Sequence, residues 1–102
     1  MNDARTSAGA TVSDNAERSR FELPLDGAVA VLDYRRAGRV LSLDHAGVPA
    51  QFEGQGVGSR LVGESLRLIR ARGEQVLPRC SFVVAYMARH PEFDDLRAPA
   101  AT

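Results

Sequence analysis

The chain has 102 residues, of which 44% are hydrophobic and 25% are charged, and 13 arginines balance 13 acidic residues. This length suits one small domain with room for a single shallow site, and the composition is that of an ordinary soluble globular protein. The balanced charge argues against nucleic-acid binding, and no apolar run is long enough to span a membrane.

The cysteine content and the start of the chain indicate the cellular location. Cys80 is the only cysteine, which excludes an internal disulfide. The start of the chain lacks the basic and then apolar pattern of a secretory signal, so we expect a cytoplasmic protein.

Residues 1–18 are small, polar and aperiodic and predict a disordered tail. We expect the domain over residues 19–97 and a flexible C-terminus at 98–102.

The first half of the domain is predicted to be three strands. The segments RFEL, AVAVLDY and RVLSLDHAGV are rich in apolar and β-branched residues, and the turn signals PLDG and RRAG separate them. This pattern predicts an antiparallel meander. Simple alternation along the third strand would place Leu41, Leu43 and His45 on one face of the sheet.

Two helices and a short strand follow. Apolar residues at helical spacing predict a helix over 57–72 that Gly73 stops. The segment EQVLP is then long enough for one strand, which a crossover helix would place parallel to the third strand. A second helix from Ser81 is ended by Pro91. Its apolar stripe comprises Phe82, Val83, Tyr86, Met87 and His90. The predicted fold is α+β, with a mixed sheet made of an antiparallel three-strand meander, a helix, a parallel strand and a helix.

The stretch VPAQFEGQGVGSRL, from residue 48 to 61, carries glycines at alternate positions directly before the first helix. Unpaired backbone N–H groups and the positive end of the helix dipole meet at such an entrance, which favours a phosphate. A P-loop would need a lysine, and the chain has none. The dinucleotide fingerprint would need glycine or alanine where Ser59 stands, and also a preceding parallel-sheet unit.

A third loop type fits these residues. Gln51-Phe52-Glu53-Gly54-Gln55-Gly56 resembles the Gln/Arg-x-x-Gly-x-Gly/Ala pyrophosphate loop of GNAT-type N-acetyltransferases. His45 near the end of the preceding strand and the Pro-x-Cys of residues 78–80 resemble the short, minimal, single-domain branch of that superfamily, and the resemblance runs from about residue 20 to 96.

The resemblance implies that the chain binds acetyl-CoA, with the pantetheine arm inserted between two splayed strands. The residues it assigns to cofactor binding are Gly47, Val48, Gln51, Phe52, Glu53, Gly54, Gln55, Gly56, Val57, Gly58, Ser59 and Arg60. The superfamily often has basic residues before the first loop glycine, where this chain has Phe52 and Glu53, so we expect weakened binding. Arg60 could reach the phosphates, or it could be a solvated arginine on the helix surface.

The resemblance also suggests catalytic residues, each with a structural alternative. Cys80 at a helix N-terminus could carry the acetyl group in a two-step reaction, or it could be a small buried hydrophobe. His45 could activate that thiol, or it could be a histidine at the core edge. Tyr86 could protonate the departing sulfur, or it could be a core aromatic. Backbone N–H groups near Ala46 to Val48 could stabilise the oxyanion.

These residues predict an acetyl-CoA-dependent N-acetyltransferase acting on an amine of a small molecule or a protein. The alternative is a non-catalytic CoA-binding or protein-interaction module, because a cofactor loop does not prove turnover. We expect no metal, nucleic-acid or membrane partner, and a monomer or weak homodimer, in which a second copy could supply walls for the acceptor.

Overall fold

The computed structural model describes residues 11–99, which form one five-stranded sheet and two α-helices. The strands lie in chain order across the sheet, and each neighbouring pair is antiparallel except the last, which is parallel. The elements are β1 (Ser13–Asn15), β2 (Arg20–Leu25), β3 (Ala28–Ala37), β4 (Val40–Gly47), α1 (Val57–Ala71), β5 (Gln75–Pro78) and α2 (Ser81–Arg89). The predicted α+β fold with a mixed sheet is confirmed.

One face of the sheet forms the core. Apolar residues alternate along the central strands, and cross-strand partners such as Phe21 and Leu32 place their side chains on the same face. Both helices pack there and contribute to the same cluster of buried side chains. The fully buried side chains include Phe21, Leu23, Leu32, Leu41, Leu43, Leu61, Leu66, Ile69, Val76, Val83 and Met87.

The N-terminal boundary differs from the sequence expectation, which placed a disordered tail up to residue 18. Ser13–Asn15 instead form β1, antiparallel to β2, and Val12 is buried. Asp14 explains the docking, because it accepts hydrogen bonds from the Tyr34 hydroxyl and the Arg72 guanidinium, each at 2.7 Å. A three-residue strand held by such distant partners has no periodic signal in the sequence. Residues 1–10 lie outside the described part of the chain.

The C-terminal boundary also shifts. The acidic segment PEFDDL forms a 3₁₀ helix, Pro91–Leu96, with Phe93 and Leu96 buried. Ala98, assigned to a flexible end, is buried, and its amide donates to the Val76 carbonyl at 2.8 Å. The last strand of the sheet is therefore partly covered along its outer edge. Residues 100–102 lie outside the described range.

No helix within residues 11–99 combines the length and apolar character needed to cross a membrane.

Candidate functional site

The two parallel strands separate part way along their length. Pairing between β4 and β5 covers only residues 40–43 and 75–78. Where it stops, the amides of Arg79 and Cys80 both donate to the Leu43 carbonyl at 3.0 Å, and the chain turns into α2. Because β4 continues to Gly47 along β3, its other edge has no neighbouring strand beyond Leu43 among residues 11–99. The predicted splay between these two strands is present.

A β-bulge lies at the point of separation. Tyr34 is opposite Leu43 while Asp33 is opposite His45, so Asp44 is an extra residue in β4. Asp44 accepts hydrogen bonds from Arg35 and Ser42. The Arg35 guanidinium is the main reason that the pKa of the Asp44 carboxyl lies below its ordinary value. Bulges of this kind redirect the side chains that follow.

The bulge overturns the expectation that His45 shares a face with Leu41 and Leu43. Beyond it, Ala46 pairs with Leu32 and packs against the core, so the neighbouring His45 lies on the opposite face of the sheet. His45 is exposed, whereas Leu41 and Leu43 are fully buried. The alternative of a core-edge histidine is therefore wrong.

The alternating glycines around the start of α1 serve two different purposes. Gly54 and Gly56 have φ of +77° and +80°, the left-handed region that favours glycine, and a Cβ at either position would contact nothing within 4 Å. Gly58 has an ordinary backbone, but a Cβ there would lie 2.7 Å from Cζ of Phe82. The first two glycines therefore shape the loop, and the third lets α2 approach α1.

The entrance to α1 has the features that favour an anion. Gly56 is the N-cap and has no side chain with which to cap the helix. In an α-helix the first backbone amides have no intrahelical acceptor, so those of Val57, Gly58 and Ser59 need partners from outside. The first turn contains no acidic residue, so the positive end of the dipole is not neutralised within the helix.

These features surround one cavity of about 600 Å³. The cavity lies between the unpaired end of β4, the loop of residues 51–56 (the glycine loop), the first turn of α1 and the start of α2. Its walls are His45, Ala46, Gly47 and Val48 from β4 and the residue after it; Phe52, Glu53, Gly54, Gly56, Val57, Gly58 and Ser59; and Phe82.

Most of the residues assigned to the cofactor by resemblance line this cavity, but Gln51, Gln55 and Arg60 do not. The side-chain amide of Gln55 donates to the backbone carbonyl of Gln51 at 3.2 Å, a contact within the loop itself. Nε of Arg60 lies 2.7 Å from a carboxylate oxygen of Glu64, one turn further into α1. In this arrangement the Arg60 guanidinium is engaged along the helix surface.

Of the three catalytic candidates, only His45 lines the cavity. Cys80 is the N-cap of α2, half-buried beside the core, and its thiol makes no capping hydrogen bond within residues 11–99. Tyr86 is buried between the helices and stacks on His90 with ring centroids 3.8 Å apart. Burial raises the pKa of the Tyr86 hydroxyl. The geometry brings His45 to the cavity and gives Tyr86 the surroundings of a core aromatic.

Phe82 is the cavity residue that the sequence analysis missed. Helical spacing assigned it to the same apolar stripe as Val83, Tyr86 and Met87, and those three are buried as predicted. Phe82 instead remains 42% exposed at the first turn of α2. Its neighbour Gly58 carried the signal, because a glycine inside a helix often marks a close approach by another element.

Comparison with known proteins agrees with this architecture. The model of the GCN5-related N-acetyltransferase family matches residues 20–96, and the chain belongs to that family. The NMR solution structure of a GCN5-like protein from Staphylococcus aureus has the same fold, with a TM-score of 0.66 and 22% sequence identity over 88% of this chain and 89% of that one. No curated protein matches the chain. The predicted extent of the resemblance is confirmed.

Proposed function

We propose that this protein is an acetyl-CoA-dependent N-acetyltransferase that acts on an amine of a small molecule or a protein. The observation that carries the proposal is the continuity of one cavity from the uncapped entrance of α1 to the unpaired edge of β4. The first region suits a pyrophosphate and the second suits an extended arm that pairs with a strand edge. Membership of the family supports the same reaction class.

The residues present fit this cofactor. The amides of the loop and of the first turn of α1 would hold the pyrophosphate, and the free edge of β4 near Gly47 and Val48 would pair with the pantetheine arm. Glu53 lines the same cavity and is exposed. Its carboxylate opposes an anionic ligand, but salt screens exposed charges over about 8–10 Å. The site should therefore bind CoA with reduced affinity.

When bound, acetyl-CoA would supply the thioester carbonyl. Backbone N–H groups of Ala46 to Val48 would donate hydrogen bonds to the oxygen on which charge develops. The His45 imidazole would accept the proton of the attacking amine, because it is exposed and lines the cavity. Cys80, where β5 turns into α2, is the candidate for a covalent acetyl carrier.

A CoA-binding module without turnover is the second candidate. It is favoured by the positions of Cys80 and Tyr86, neither of which lines the cavity, so that His45 and Glu53 are the ionisable residues on its walls.

For the oligomeric state of the enzyme we propose a monomer or weak homodimer. Light scattering across a concentration series measures this state directly.

The first experiment is a thermal melt with CoA and acetyl-CoA. Ligand at a hundred times its dissociation constant stabilises the native state by about 2.7 kcal/mol. For a domain of this size that is about 10–20 °C in melting temperature. A melt that does not move contradicts the proposed function in both of its forms.

The second experiment separates the enzyme from the module. Release of free CoA thiol in the presence of an amine panel indicates turnover, and intact-protein mass spectrometry of wild-type and Cys80→Ala chains shows whether Cys80 is acetylated. Binding without thiol release or adduct would favour the module. Loss of thiol release in His45→Gln with CoA binding retained would assign the imidazole to the chemical step.

A further inference from the structure

We infer that the Phe82 ring is the apolar wall on which the pantetheine arm of CoA packs, so that it distinguishes CoA from nucleotides that lack the arm. This inference rests on the proposed function, because it assigns a role within the same cavity. Phe82 is the only residue of α2 that lines the cavity, whose other walls come from β4, Val48, the glycine loop and the first turn of α1.

The position of the ring is set by α1. The Cζ and Cε atoms of Phe82 lie 2.7–3.3 Å from the place that a Cβ of Gly58 would occupy. The tip of the ring therefore rests on the backbone of the first turn of α1, and glycine is the residue that permits this. The contact holds the ring beside the first turn of α1, at the wall of the cavity.

The exposure of the ring indicates that it is not simply part of the core. Phe82 is 42% exposed, whereas the adjacent Val83 is completely buried. Three large hydrophobic residues are exposed in the described range, and Phe82 is the one among them that lines the cavity. An apolar ligand segment that covers the ring would remove this surface from water, which favours binding.

The polar and apolar parts of CoA would contact different parts of the cavity. The nucleotide and its pyrophosphate are polar and suit the amides at the entrance of α1, whereas the pantetheine arm carries methyl and methylene groups between its amides. An arm that pairs its amides with the edge of β4 would present those apolar groups to the opposite wall. Phe82 provides that wall, and its loss should weaken CoA without weakening the nucleotide fragment.

The test measures binding of CoA and of 3′-phosphoadenosine 5′-diphosphate, which lacks the arm, to wild-type, Phe82→Ala and Phe82→Leu chains. Covering the exposed part of the ring predicts that Phe82→Ala binds CoA about three- to tenfold more weakly. The fragment should bind all three chains equally, and Phe82→Leu should retain part of the CoA affinity. Val84→Ala is the matched control, because Val84 is 45% exposed on the same helix and does not line the cavity.

Each other outcome overturns the inference in a recognisable way. Equal loss of CoA and fragment affinity in Phe82→Ala would mean that the ring only supports the loop through Gly58. Unchanged CoA affinity would mean that the arm does not touch the ring. If the wild-type chain bound neither ligand, the proposed function itself would be wrong, which separates that failure from the first two.

Discussion

At the scale of single residues, the glycines around the start of α1 show that one residue type can be required for different structural reasons. Gly54 and Gly56 are required by backbone torsion, and Gly58 is required by the ring of Phe82. The sequence indicated that the loop should leave amides free for an anion, but it did not distinguish these roles. A glycine required by its backbone torsion and a glycine required by close approach look the same in the sequence. Only the residues that surround each glycine in the structure distinguish the two roles.

Gly56→Ala should lower the free energy of unfolding by about 1–2 kcal/mol, because alanine is strained at positive φ. That corresponds to about 4–16 °C in melting temperature. Gly27→Ala is a matched control, since Gly27 has φ of +76°, lies in the turn between β2 and β3, and has equal space for a Cβ. Both variants should lose similar stability, but only Gly56→Ala should weaken CoA binding in calorimetry. Equal affinity in the two variants would separate the loop from the cofactor.

Glu53→Gln should strengthen CoA binding, because it removes a carboxylate from the wall of the cavity that would hold the pyrophosphate. An exposed charge of this kind changes affinity by about 1.5- to fivefold. The gain should shrink as salt rises, since screening weakens the repulsion that is removed. Glu17→Gln, on the 3₁₀ turn Ala16–Arg18, is the control and should leave affinity unchanged. A gain that does not depend on salt would point to a cause other than charge.

At the scale of elements, the position of each functional side chain follows from how strands and helices meet. The bulge in β4 turns His45 to the opposite face of the sheet and coincides with the end of pairing to β5. One extra residue thus exposes the imidazole at the point where β4 loses its pairing to β5. The packing of α1 against α2 similarly decides that Tyr86 lies in the core.

Gly63→Ala tests the contact between the two helices. A Cβ at Gly63 would lie 2.5 Å from the Tyr86 hydroxyl oxygen but 3.4 Å from the ring carbon that bears it. The substitution should therefore destabilise the wild-type chain by about 1–3 kcal/mol through overpacking. In a Tyr86→Phe background it should instead be neutral or stabilise by up to about 1 kcal/mol, because alanine favours a helix more than glycine. Chemical denaturation of the four chains measures this cycle.

The same Tyr86→Phe chain decides between the two roles of Tyr86. A core aromatic predicts that thiol release is unchanged when the hydroxyl is removed, whereas a proton donor to the sulfur predicts a clear loss of rate. Additive effects of Gly63→Ala and Tyr86→Phe in the cycle would show that the hydroxyl and the glycine are not in contact.

At the scale of the whole molecule, pH should limit stability from both sides. Hydrogen bonds from Arg20 and Arg35 lower the pKa of Glu22 and Asp44. Burial alone would raise the pKa of Glu64, but hydrogen bonds from Arg60 and the Val12 amide outweigh it and the pKa is lowered. A carboxyl with a lowered pKa in the fold stabilises above its unfolded value, and that stabilisation disappears as pH falls below about 4.

The alkaline limit comes from two buried tyrosines. Burial raises the pKa of both Tyr34 and Tyr86, and the hydrogen bond to Asp14 raises that of Tyr34 further. Their stabilisation is complete below the ordinary tyrosine pKa and is lost as pH rises above about 10. The melting temperature should therefore be highest between these limits. In Glu64→Gln the acid limb should become shallower, and an unchanged limb would show that this carboxyl does not contribute.

The domain boundaries show where sequence patterns stop being informative. The central strands and both helices were predicted within a few residues, because each has an apolar repeat of its own. β1 is only three residues long and depends on Asp14 contacting Tyr34 and Arg72. The 3₁₀ helix Pro91–Leu96 depends on the burial of Phe93 and Leu96 in the core. Neither has a periodic pattern, because partners distant in the chain hold it in place.

By itself the sequence determined the α+β fold, the order of the elements and the glycine-rich entrance to α1 that has no side-chain cap. These features depend on local chemistry, namely apolar periodicity, glycine torsion and helix ends, which neighbouring residues encode. Only the tertiary structure decided that His45 is exposed, that Tyr86 is enclosed and that Phe82 lines the cavity. Those placements depend on strand register and on helix packing, and both are set by contacts between residues far apart in the chain.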